Sequence, residues 1–120
     1  MNIRKTFCAL TICTIFAAET SAGAAEKTAN CTISSGSKTV FNGKCIFTPE
    51  EGGSFYLSSP KQDGYLFDEI ITVSVFVTEK GLAEVRGLTK NGNNSRWGEA
   101  RRSRKDKSCW EGSDFRICAK

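Results

Sequence analysis

The side chains able to carry chemistry in this 120-residue sequence are six cysteines, 17 Lys and Arg, 13 Asp and Glu, and two tryptophans; histidine is absent. Without imidazole there is no Ser/His/Asp or Cys/His nucleophile, no imidazole general base and no imidazole metal ligand. Carboxylates are the remaining acid–base pair, and the adjacent couples are Glu50 with Glu51 and Asp68 with Glu69. A glycoside hydrolase sets two carboxyls face to face across about 5 to 10 Å, whereas neighbours on a strand point to opposite faces. Gly52-Gly53 has no following Lys-Ser/Thr and no helix to lend its N-terminus, so it makes no phosphate cradle. The residues therefore predict a protein that binds rather than catalyses, with no cofactor and no metal.

The cysteines acquire meaning from the start of the chain. Asn2-Ile3-Arg4-Lys5 is positive, Thr6 to Ala18 is almost wholly apolar, and Ala22-Gly23-Ala24 supplies small residues, the pattern of an export signal cleaved after Ala24. Thirteen apolar-run residues fall short of the roughly 20 that span a bilayer, so no stable membrane insertion is expected. Ile12 before Cys13 is too large for a lipid-modified N-terminus. The expected product is residues 25–120, a single domain in the periplasm or secreted, with 15 basic and 12 acidic side chains. Cys31, Cys45, Cys109 and Cys118 remain, in a compartment where disulfides persist. Three pairings are open; Cys31 with Cys45 and Cys109 with Cys118 are preferred because each couple brackets a hairpin. A zinc site is the competing reading, and spacings of 14 and 9 do not resemble its knuckles.

The elements that must position these residues read as short strands and turns, predicting an all-β antiparallel barrel or sandwich with two disulfides. Residues 25–30 read as a frayed start. Asn42-Gly43 between Thr39-Val-Phe and Lys-Cys-Ile-Phe is a strong hairpin signal. Ser54 to Ser58 is a short strand with Phe55 and Leu57 on one face, and Pro60 to Gly64 a turn. Ile70 to Thr78 is the longest strand expected, with Ile71, Val73, Val75 and Val77 on one face. Glu79-Lys80-Gly81 reverses it into Leu82 to Leu88, and Thr89 to Ser95 is a loop by composition. Residues 99–107 are read as a helical turn or two, and Phe115 to Cys118 as a last strand.

Charge is unevenly laid out, with a balance of −5 over residues 45–85 and +6 over residues 86–107. The basic segment, with Arg101, Arg102 and Arg104 and with Trp97 and Trp110 near it, suits contact with a polyanion or the cell envelope. The alternative is a solvated surface whose charges pair with the acidic half, and whose tryptophans are buried. Export makes nucleic acid an unexpected partner.

The hairpin Val75-Phe76-Val77-Thr78-Glu79-Lys80-Gly81-Leu82-Ala83-Glu84-Val85 resembles the Lys-Gly hairpin of the small exported bacterial inhibitors of c-type lysozyme. That resemblance covers about a dozen residues and implies a β-barrel that occludes a peptidoglycan hydrolase, either host lysozyme or an endogenous lytic enzyme. In the family, a serine from a Ser-Gly loop and a lysine reach the catalytic carboxylates. Lys80 matches the lysine. Ser59 stands in the right order for the serine but lacks the adjacent glycine, while Ser35-Gly36 copies the letters earlier in the chain.

Overall fold

The computed structural model describes residues 25–120; the export segment expected over 1–24 lies outside them. The described residues form eight antiparallel strands: β1 (Lys27–Ser35), β2 (Lys38–Pro49), β3 (Phe55–Ser58), β4 (Ile70–Glu79), β5 (Leu82–Thr89), β6 (Asn94–Arg102), β7 (Cys109–Glu111) and β8 (Phe115–Ala119). Each strand pairs with the next, and β8 returns to β1, with Cys31 opposite Ala119, so the barrel is closed. Closure gives every strand a neighbour on both sides, although the short β3 and β7 pair with only part of the longer strands beside them.

Period-two alternation sends one residue in two inward. Ala29, Cys31 and Ile33 of β1, Phe55 and Leu57 of β3, Val73 and Val75 of β4, Ala83 and Val85 of β5, and Ile117 of β8 are buried together. Residues filling a barrel this narrow leave no channel.

The two expected bridges form, Cys31–Cys45 and Cys109–Cys118, with Cα separations of 5.9 and 4.0 Å. Cys31 lies opposite Gly43 and Cys45 opposite Ala29, so the first bridge runs diagonally between inward positions of β1 and β2. Cys109 lies directly opposite Cys118, one residue out of phase with the inward pair Trp110 and Ile117, on the outer face.

The first turn is not at Asn42-Gly43. It is Gly36-Ser37, with Gly36 at φ 60°, and Asn42 and Gly43 sit inside β2. A reversal at 42–43 would take from Ala29, Cys31 and Ile33 their partners on β2; closing the barrel requires β1 between β2 and β8, and that pairing overrides the local preference. For the same reason residues 27–30 are strand rather than a frayed start. Residues 99–102 belong to β6 instead of a helical turn, because Ala100 pairs with Ala83 and fills the core. At 12 residues β2 exceeds β4, which has 10. The loop expected from Thr89 shortens, since Thr89 ends β5 and Asn94 begins β6.

Because strands alternate in direction, loops gather at two ends. The turns after β2, β4 and β6 share one end with Lys80; the turns after β1, β3, β5 and β7 share the other with Ser59.

Candidate functional site

At the Lys80 end, β4 and β5 close around Lys80 and Gly81. Gly81 holds φ 75°, a left-handed value that glycine takes without steric cost. The tip is tied down on both sides. The Arg102 amide donates to the Gly81 carbonyl at 3.0 Å. On the opposite flank the Val77 amide donates to Ser54 Oγ at 2.8 Å. Ser54 is buried and just precedes β3, so its hydroxyl substitutes for the strand partner that β3 does not extend far enough to provide. The Thr78 hydroxyl adds a bond to the Leu82 carbonyl at 3.3 Å.

Arg102 is the second cation here, and its side chain is held by two neighbours, the Lys107 carbonyl and the Trp110 ring. Its Nε donates to the Lys107 carbonyl at 2.8 Å, and its guanidinium carbon lies 5.5 Å from the centre of the buried Trp110 ring. Lys80, Arg102 and Trp110 line one depression of about 490 Å³, whose far wall is Gly52 and Gly53. A guanidinium stacked on indole is preorganised and weakly hydrated, which lowers the cost of bringing it against a carboxylate.

The β6–β7 loop carries further positive charge beside this depression, with Arg104, Lys105 and Lys107 exposed. The buried Ser103 Oγ accepts from the amides of Lys105 and Asp106, both at 3.2 Å. Asp106 then accepts from the Ser108 hydroxyl at 2.6 Å and amide at 3.1 Å, and pairs with Lys120 at 3.1 Å. These contacts hold the Asp106 carboxyl at about 2, below its ordinary 3.8, with the Ser108 hydroxyl the largest cause and Lys120 next. Four polar groups thus stiffen a loop that lacks regular structure.

The sequence-derived candidates divide between the two ends. Lys80, Arg101, Arg102 and Arg104 converge on one, all exposed. Among the described residues none of them forms an ion pair. Ser59 lies at the other end, where its Oγ accepts from the Lys61 amide at 3.0 Å and shapes the β3–β4 loop. Ser58 is level with Thr72, eight residues before Lys80 on β4, which puts Ser59 about 26 Å from the tip at 3.3 Å per residue. Ser35-Gly36 shares the Ser59 end. The carboxylate couples also separate, Glu50 with Glu51 to the Lys80 end and Asp68 with Glu69 to the other.

Among the described residues, charge pairing between the acidic and basic halves is local to one wall. Glu84 on β5 lies 4.0 Å from Arg86 and 3.5 Å from Arg96. Beside it the outer face of β3 and β4 exposes Tyr56 and Phe76.

Spacing could not reveal that Lys80 and Arg102 meet, because the pairing of Leu82 with Arg101 that joins them is a barrel register. The conjunction of Arg102 with Trp110 likewise depends on β7 lying beside β6. No protein-family model, curated protein or solved structure matches this chain.

Proposed function

We propose that this protein is an exported inhibitor of a peptidoglycan hydrolase, acting in the periplasm or outside the cell by seating its Lys80 end in the enzyme's substrate cleft. The observation that carries this reading is the conjunction of a rigid two-residue tip, Lys80-Gly81, with Arg102 held against Trp110 beside it. Muramidases work with two carboxylates on either side of a cleft, and the transition state there develops positive charge on the sugar. A protruding ammonium, with a guanidinium next to it, offers such a cleft the same sign of charge. Preorganisation by Ser54 and by the Arg102 amide reduces the ordering cost of docking. The contact rests on Lys80 and Arg102; a single cleft cannot also take Ser59 from the opposite end.

The test is inhibition of peptidoglycan digestion by muramidases and lytic transglycosylases at near-stoichiometric protein. Lys80→Ala and Arg102→Ala should each weaken inhibition by roughly tenfold or more, the worth of a charge-assisted contact. A cluster of exposed arginines also supports a second reading, an envelope or polyanion-binding module using Arg101, Arg102 and Arg104. That module would lose affinity steeply with salt and be indifferent to Lys80→Ala. Absence of inhibition of any hydrolase, with salt-sensitive polyanion binding in its place, would reject the inhibitor.

A further inference from the structure

The end opposite Lys80 has an aromatic mouth that plays no part in the proposed contact. A cavity of about 420 Å³ opens there, lined by Phe67, Trp97 and Phe115, with the fully buried Ile33 below and Asp68 and Asp114 among its polar groups. The ring centres of Phe67 and Trp97 are 6.0 Å apart, inclined at 55°; those of Trp97 and Phe115 are 5.7 Å apart, edge to face at 68°.

Each ring is held by a specific local device. Trp97 is the extra residue where β6 slips its register against β5, with Gly98 after it at φ 113°. Such a bulge re-aims a side chain. The indole rests on Gly87, where a Cβ would approach Trp97 Nε1 to 2.9 Å, so only glycine leaves it room. Phe67 is clamped by paired bonds to Ile70, the Ile70 amide reaching the Phe67 carbonyl at 2.8 Å. Phe115 covers Gly112 in the β7–β8 turn.

The charges of this mouth are unbalanced. Arg96 is the one cation of the lining, and it is drawn to Glu84 on the outer wall at 3.5 Å. Asp68 and Asp114 have no side-chain hydrogen bond or ion pair among the described residues. Asp68 is also the one non-glycine described with positive φ, at 50°. Backbone strain of this kind is retained where the surroundings over-determine it, commonly at ligand sites.

We propose that this mouth is a binding site for a small organic cation of the alkylammonium class, with a quaternary ammonium head group as its best fit. The negative faces of aromatic rings attract a weakly hydrated cation within about 6 Å, and the two carboxylates add attraction that a neutral ligand does not feel. A free carboxylate on the ligand would be repelled by the same pair. The cavity falls in the size range of small-ligand sites, and it is remote from the Lys80 end, so the two activities stand or fall separately.

The experiment titrates the folded protein with tetramethylammonium chloride and choline chloride, following the indole N–H resonances of Trp97 and Trp110, with sodium chloride as the ionic-strength control. Saturable shifts at Trp97 with millimolar affinity, and none at Trp110 at the far end, are expected. The neutral isostere of choline, 3,3-dimethylbutan-1-ol, should bind about tenfold more weakly. The exposed pair Asp68→Asn with Asp114→Asn, which removes no core contact, should weaken choline by a similar factor and leave the isostere unchanged. Equal binding of choline and its isostere, an unaltered affinity in the double variant, or no shift at Trp97 would each overturn the proposal.

Discussion

Ser54→Ala tests whether one hydroxyl holds the Lys80 tip in place. Val77 sits three residues before Lys80, and its amide points toward β3, which begins only at Phe55. The Ser54 Oγ supplies the missing acceptor at 2.8 Å, and the Ser54 carbonyl meanwhile accepts from the Glu50 amide at 2.8 Å, fixing the preceding turn. Removing the hydroxyl leaves a partly buried amide unpaired, which costs about 1 to 3 kcal/mol. Val77 is half-buried, so water can satisfy part of the loss, and about 1 to 2 kcal/mol is expected. For a domain of this size each kcal/mol lowers Tm by about 4 to 8 °C, giving a fall of roughly 4 to 16 °C. The more specific readout is hydrogen exchange. Val77 and its neighbours before the tip should exchange roughly 5- to 30-fold faster, while Val73, already paired with Leu57, should change only with global stability. Inhibition should weaken with the loss of preorganisation even though no contacting side chain is altered. Unchanged protection at Val77 in a variant with unchanged Tm would refute the reasoning.

Two further outcomes follow from local geometry. Gly112→Ala places a Cβ within the Phe115 ring, so the ring must leave its position beside Trp97; about 1 to 3 kcal/mol of destabilisation should accompany a displaced Trp97 indole resonance, and an unmoved resonance would contradict the packing. Asp106 bears on acid stability: because folding lowers its pKa, its contribution is complete well above its ordinary value of 3.8 and is lost as pH falls from there through about 2. Urea midpoints of the natural protein should therefore exceed those of Asp106→Asn at neutral pH and converge with them in strong acid, and a difference that persists there would show the carboxylate's charge to be irrelevant.

Much of this molecule was legible from sequence because it depends on neighbours along the chain. Alternation at Phe55 and Leu57 and at Val73 and Val75 marked two strands and their buried faces, and the Glu79-Lys80-Gly81 reversal lies where its glycine said it would. Cysteine spacing favoured the two bridges that form, since each couple closes a hairpin. The misreadings share one cause. Asn42-Gly43 has turn chemistry and residues 99–107 have helix-forming side chains, but both preferences are worth about 1 kcal/mol or less per residue. Pairing that buries Cys31, Ile33 and Ala100 outweighs them. The sites lie further out of reach. Lys80 and Arg102 are 22 positions apart in sequence and meet only because β5 and β6 pair in one register. Phe67, Trp97 and Phe115 come from three separate elements that share a mouth only when β8 closes on β1. Local sequence determines which residues turn, alternate and cross-link; closure of the barrel decides which end each loop joins, because strand direction and register are properties of the whole sheet.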